Sequence, residues 1–314
     1  MTRADAARRP GLYLYSTTAM GTVVTIQIVE TGATRASGGD REATVARALE
    51  WFGRVEACCS RFDPESEVSR LAARVGIATP VSDMLFEAVR FALAVAEESG
   101  GAFDPTIGHA MTARGFNRHY QTGARVAAGA PHEAGAYRDV ELDLGARTIT
   151  LHRPVMLDLG GVAKGLGVDM AARELAPLGD FAIDAGGDLF FAGRNADGDA
   201  WRAGIRHPRD PESLLATLRM SDAALCTSGD YERRVDDDHH LLDARVGRTA
   251  SGAASASVIA PTAMAADALA TAAFVLGMDE AVEWLERQGV DGVMVSTSLD
   301  RRTTSGLADR ISWT

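Results

Sequence analysis

The chain is poor in several residues that would assign it to a familiar class. Its 314 residues contain three cysteines, Cys58, Cys59 and Cys226, and the first two are adjacent. That is too few for a disulfide framework, and the spacing matches no zinc site. It fits a reducing compartment. No apolar run approaches the ~20 residues of a membrane-spanning helix. The N-terminal MTRADAARRPGLYLY has neither the apolar core of a signal peptide nor a lipobox cysteine. The sequence therefore predicts a cytoplasmic protein without membrane insertion. Positive charge is also short: 32 Lys and Arg against 43 Asp and Glu give a net charge of −11. Such a surface suits neither nucleic acid nor an anionic membrane, so an anionic ligand would need a local positive site or a bound cation. Lysine is almost missing. Lys164 is the only one, and arginine fills every other Lys/Arg position.

What is present reads as globular. Hydrophobic residues make up 46% and charged residues 24%, enough for one large domain or two fused lobes with a substantial core. Val24, Ile26 and Ile28 alternate with polar residues, so 12–30 reads as two half-buried strands broken at Met20-Gly21-Thr22. Residues 31–41 read as a polar loop. Val45, Leu49, Phe52 and Val55 set a helix over 42–59, followed by a loop and short turn over 60–70. Ser82 caps a helix over 83–99 that Gly100-Gly101 stop. The stretch 102–135 is rich in Gly and Ala and reads as an irregular surface loop. Strands are expected at 138–144 and 147–151, then from Phe181 to Ala192 across the Gly186-Gly187 turn, and near 201–206, 214–220, 223–227 and 254–260. Pro261-Thr262 opens a helix to Leu276, stopped by Gly277. A helix (279–288), a strand (290–297) and a C-terminal strand follow. No regular βαβ rhythm appears, which predicts an α+β fold with mixed or antiparallel sheets and packed helices. No linker divides the chain, so it is read as a flexible N-terminus (1–11) followed by one domain (12–314), with room for two lobes.

One stretch, Leu157 to Asp169 (LDLGGVAKGLGVD), stands out. It reads as the end of a strand, a Gly160-Gly161 turn and a helix with Lys164 in its first turn. Free amides and the helix dipole make such a place an anion site, and a cation there opposes the dipole unless an anion lies between them. A compact ammonium in a chain of arginines points to a phosphate or carboxylate contact. The plainer alternative is a glycine turn with an incidental lysine. The spacing is neither Walker A nor GxGxxG.

Three other groupings leave two readings each. Asp267 and Thr271 are four apart on an otherwise apolar helix and so share a face. Their oxygens suit Mg²⁺, but spacing alone favours a solvent-facing Asp267 and a Thr271 bonded back to its own helix. Asp104-Pro105-Thr106 is either a self-bonded turn or a loop offering carboxylate, hydroxyl and amide to a ring ligand. In the run Asp236 to Asp243 (DDDHHLLD), the three leading aspartates read as a solvated loop. His239 or His240 could serve as a general base beside a carboxylate. Thr227-Ser228-Gly229-Asp230-Tyr231 reads as a polar turn after an apolar strand.

Taken in order, RFDPESEVSRL (61–71), GAFDPTIG (101–108), DLGGVAKG (158–165), DAGGDL (184–189), TSGDYER (227–233), HLLD (240–243) and IAPTAMAADALATA (259–272) resemble the ApbE family of FAD:protein FMN transferases from Met20 onward. The resemblance implies an ApbE-like, T-fold-like architecture and Mg²⁺-dependent cleavage of the FAD pyrophosphate. FMN would pass to a Ser or Thr hydroxyl of a target protein and AMP would leave. It implies Gly161, Asp267 and Thr271 as metal ligands, with Lys164 adding positive charge at the pyrophosphate. Met20, Phe62, Asp104, Pro105, Thr106, Asp158 and Leu241 would line the flavin or adenine. His240 would activate the acceptor hydroxyl, oriented by Asp243. Where the family continues HIIDPxTG, this chain has Asp243-Ala244-Arg245-Val246-Gly247, and Ser251-Gly252-Ala253-Ala254 lacks the acceptor hydroxyl needed for self-modification. The same site could instead hydrolyse FAD to FMN and AMP, or bind FAD without turnover.

Overall fold

The computed structural model describes residues 11–30, 38–127, 136–232, 234–235 and 238–314. The expected flexible stretch lies outside the described residues except for Gly11, which already opens a strand. Residues 31–37 and 128–135 of the two expected loops also lie outside them.

An eight-stranded antiparallel sheet is the frame. Its order is Gly11–Ala19, Thr22–Glu30, Asp180–Ala185, Asp188–Ala192, Ala223–Gly229, Ser255–Ala260, Asp291–Val295 and Arg301–Thr303. The first hairpin turns on Met20 and Gly21, both with positive φ (51° and 77°), the twist a two-residue hairpin needs. Seven α-helices occur among the described residues: α1 (Gly38–Cys59), α2 (Glu67–Ala72), α3 (Asp83–Glu98), α4 (Gly108–Ala113), α5 (Gly160–Leu175), α6 (Ala263–Leu276) and α7 (Met278–Arg287). None of the described helices is long and apolar enough to cross a membrane.

Alternation decides which side of the sheet each residue serves. On one face Val24, Ile26, Phe181 and Ile183 pack against Val45 and Phe52 of α1, Val168 of α5 and Ala266 of α6. The other face, through Val29, Phe191 and Val293, meets a three-stranded sheet made by Trp201–His207, Asp210–Met220 and Ile311–Trp313. A further core joins α3, α6 and a small sheet (Val140–Asp143, Thr148–Leu151, Thr79–Pro80) through Phe86, Ile149, Leu157 and Phe274. α6 is apolar on nearly every side and is buried accordingly between layers. The strand Ser255–Ala260 is buried along its whole length. This is the expected α+β fold, with every paired strand of the large sheet antiparallel.

Several local expectations need correction. α1 begins at Gly38, not 42. Within 60–70, Ser66 accepts a hydrogen bond from Ser69 N and starts α2 where only a turn was expected. The segment from Ala102 to Thr112 is not a surface loop. Gly100 and Gly101 (φ 60° and 83°) turn the chain inward, Ser99 Oγ accepts from Phe103 N at 3.1 Å, and residues 102–106 are buried. No strand leads into α5. Met156 makes a single parallel bridge to Ile107, and Gly160 and Gly161 are the first residues of the helix instead of a turn before it.

Candidate active site

Two helices and one turn build the polar centre. α5 and α6 run antiparallel and touch at glycine: a Cβ on Gly165 would lie 2.6 Å from the Met264 Cα, and one on Gly161 would lie 3.2 Å from Thr271 Oγ1. Only residues without side chains allow the α5 backbone this near. Asp267 is buried, and its Oδ2 accepts from Gly165 N at 3.4 Å. The solvent-facing alternative for Asp267 is thereby excluded. Thr271 shares a hydrogen bond of 3.1 Å with Ser228 Oγ, at the end of strand Ala223–Gly229.

The turn Ala185-Gly186-Gly187-Asp188 supplies a second carboxylate. Gly186 and Gly187 have φ of 66° and 95°, and Gly187 N donates to Asp184 Oδ1 at 2.9 Å. This delivers Asp188, only 2% exposed, against the Lys164 ammonium. Lys164 Nζ also lies 3.7 Å from Asp267 Oδ2. Lys164 is the fifth residue of α5, past the first turn, so its counter-charge here comes from two carboxylates of the chain. Burial pulls its pKa down, but Asp188 and Asp267 outweigh that, and the net direction is up. Beneath the cluster the Cys226 thiol is pushed up by burial and by the same two carboxylates.

Around this centre stands a hydrogen-bonded wall. Asp158 Oδ2 accepts from Arg61 Nε at 2.7 Å, its Oδ1 from Gly160 N at 2.9 Å, and its own amide donates to Pro105 O at 2.7 Å. Arg61 is buried and also donates to Thr112 Oγ1 and to Phe116 O. Thr106 donates through N and Oγ1 to Asp104 Oδ1. The self-bonded turn is thus real, and it is buried against the start of α5. Phe62 stacks under the Arg61 guanidinium at 4.1 Å and lines a groove of about 380 Å³ with Met156, Leu157 and Ala124 to Ala127. Met20 reaches the other side of α5, where its Sδ faces Gly167.

The last segment separates the two histidines. His239 is buried: its Nδ1 accepts from Leu241 N at 3.2 Å, so its Nε2–H donates to Ala250 O at 2.8 Å. Burial is the leading cause that pushes its pKa down. His239 is scaffold. His240 lies next to it, partly exposed, and Leu241 is buried. Asp243 takes hydrogen bonds from Arg245 N, Nε and Nη2 at 2.9–3.0 Å, so its carboxylate holds the departing loop. Asp236 and Asp237 of the expected solvated run lie outside the described residues. Asp238, expected in solvent with them, instead pairs with Arg114 at 2.9 Å and accepts from Thr249 Oγ1.

The structure therefore gathers Gly161, Lys164, Asp267 and Thr271 at one place and puts Asp104, Pro105, Thr106 and Asp158 beside it. Sequence reasoning left out Asp188, Ser228 and Arg61. Asp188 carried a signal, as the acidic residue ending a double-glycine turn. Arg61 carried none beyond its sign. Among the described residues no group of three or more His, Cys, Asp or Glu surrounds a common metal position. The donors converging here are a carboxylate, hydroxyls and a helix-start backbone. That oxygen-only set fits Mg²⁺ and would not suit zinc.

A fold of helices packed on an antiparallel sheet is shared with known proteins. The family model described as the ApbE family matches residues 20–294, and the chain belongs to that family. It is 33% identical over 276 residues to the FAD:protein FMN transferase of Treponema pallidum, covering 79% of this chain and 75% of that protein. To the FAD:protein FMN transferase of Haemophilus influenzae it is 27% identical over 292 residues, covering 86% and 82%. The ApbE protein of Thermotoga maritima superposes with a TM-score of 0.83 at 28% identity, covering 95% of this chain and 98% of that one. The flavin transferase ApbE from Vibrio cholerae, at 24% identity, shares the fold with a TM-score of 0.81.

Proposed function

We propose that this chain is an FAD:protein FMN transferase, acting as one catalytic unit over 12–314. It would move FMN from FAD to a Ser or Thr hydroxyl of a target protein and release AMP, in a Mg²⁺-dependent reaction. The observation that carries this reading is the cluster of Lys164, Asp188, Asp267 and Thr271 where α5 meets α6, beside a groove edged by Phe62.

Gly161 through its carbonyl, Asp267 and Thr271 would hold Mg²⁺. When bound, the ion would neutralise pyrophosphate charge, the principal requirement of phosphoryl transfer. Lys164 adds a second positive charge beside the phosphate oxygens. Met20, Phe62 and Leu241 shape the space for the rings. Asp104, Pro105, Thr106 and Asp158 keep that wall fixed against α5. His240 takes the proton of the acceptor hydroxyl as its oxygen bonds to the FMN phosphorus. The phosphorus–oxygen bond to AMP then breaks. Asp243, tied to Arg245, fixes the loop that carries His240.

The test is AMP release from FAD with Mg²⁺, with and without a protein carrying a flavin-acceptor Ser or Thr, read beside in-gel flavin fluorescence of that acceptor. Equal amounts of AMP and labelled acceptor are expected. Asp267→Ala should lose at least about 100-fold of this activity, the usual scale for removing a charge-stabilising group from such a site. AMP without labelled acceptor would mean FAD hydrolysis. Bound FAD with no AMP would mean a binding protein. Full Mg²⁺-dependent turnover by Asp267→Ala would remove that residue from the site.

A further inference from the structure

Asp169 lies one turn beyond Gly165 on α5, and its carboxylate reaches out of its own helix. Oδ1 accepts from Ala263 N at 2.7 Å and Oδ2 from Met264 N at 3.0 Å, the first two amides of α6. These are amides that a helix start leaves without internal partners. Thr262, the N-cap residue, already serves the next one, accepting from Ala265 N at 3.3 Å. A local cap stabilises a helix wherever that helix lies. A cap supplied by a neighbouring helix also fixes where it lies.

The tie is reciprocal. Asp169 of α5 holds the first turn of α6, while Asp267 of α6 accepts from Gly165 N of α5. Between and beyond these bonds are the two glycine approaches, Gly165 on Met264 and Gly161 on Thr271. The antiparallel pair is therefore pinned at one end by Asp169 and bears its functional groups at the other.

We propose that Asp169 is a positioning residue. It sets the axial register of α6 against α5, and so the spacing of Asp267 and Thr271 on one helix from Gly161 and Lys164 on the other. This rests on the transferase reading of the site. The Asp169 carboxylate is engaged by the Ala263 and Met264 amides, so it acts through α6. Its influence is large because a misplacement of ~1 Å in a reacting site can cost on the order of 100-fold in rate.

The experiment compares Asp169→Asn and Asp169→Glu with Ser82→Ala. Ser82 caps α3, accepting from Leu85 N at 3.2 Å, and belongs to no part of the site. All are measured as the full chain for thermal midpoint, Mg²⁺ affinity by titration calorimetry, and kcat and KM for FAD. Asp169→Asn and Ser82→Ala should both lower the midpoint. Only Asp169→Asn should weaken Mg²⁺ binding, by about 10-fold or more, the range seen when a group supporting metal ligands is lost. Its kcat should fall by a similar factor with KM for FAD little changed, and Asp169→Glu should recover part of both. If Asp169→Asn loses stability as Ser82→Ala does but keeps Mg²⁺ affinity and kcat, Asp169 is a cap alone and the proposal is wrong. Crystal structures of the variants give a reading free of metal and activity: Thr271 should move relative to Gly161. An unmoved Thr271 in Asp169→Asn overturns the proposal, and where only Asp169→Glu can be solved, an unmoved Thr271 beside weakened Mg²⁺ binding overturns it as well. A wild-type chain that ignores Mg²⁺ would instead sink the transferase reading, leaving the register to be judged by the crystals.

Discussion

Lys164 is conspicuous in the sequence because no other lysine exists in the chain, and that peculiarity marks it out. What it could not convey is that Asp188, remote in sequence and delivered by a glycine turn, would meet it. A buried carboxylate pair is tolerable because the ammonium sits between its members, and stripping one partner from such a group generally costs ~3–5 kcal/mol. The two histidines illustrate the same limit. Spacing alone left His239 and His240 equivalent and the family resemblance chose His240, while the Leu241 amide and the Ala250 carbonyl assign His239 to the scaffold. That assignment has a pH consequence. The His239 pKa is pushed down, chiefly by burial, so below the unfolded value of ~6.5 the unfolded chain takes up a proton that the native chain refuses. Its stability contribution is complete above that pH and is lost as pH falls through the folded pKa. Urea unfolding followed from pH 8 to 5 should show this slope in the wild type and a shallower one in His239→Gln. Parallel slopes would mean that another group titrates.

Regular elements were legible wherever periodicity was strong. The alternation of 12–30, the Ser82 cap and the apolar run of 263–276 each specified its own element without help from distant residues. The stretch 102–112 was misjudged because its burial depends on non-local bonds, such as Gly108 N to Met156 O at 3.0 Å, which no local pattern encodes. The glycines of helices were also ambiguous from sequence. Gly53 of α1 has open space where a Cβ would go, whereas Gly165 of α5 meets the α6 backbone. Helix propensity alone would favour alanine at both by ~1 kcal/mol. Gly53→Ala should stabilise by up to about that amount, and Gly165→Ala should destabilise by about 1–3 kcal/mol through overpacking. Denaturant midpoints of the two variants should move in opposite directions. Movement in the same direction would mean that α5 and α6 can separate at little cost.

Across the whole molecule, the central sheet serves two different cores, and the three cysteines are divided between two of the packed layers. Cys226 belongs to the core under α5 and α6, while Cys58 and Cys59 end α1 in the core beside α3. All three are free thiols and all are buried. The native chain should therefore react with an aromatic disulfide reagent only as fast as each layer opens, and the denatured chain should react at all three positions. Burial in different cores makes these thiols two natural clocks. Mass spectrometry of labelled peptides would time the loosening of the layer that carries the site apart from the loosening of its neighbour. Saturating Mg²⁺ should slow the clock at Cys226 more than the one at Cys58 and Cys59. Equal slowing would mean that the molecule opens only as a whole.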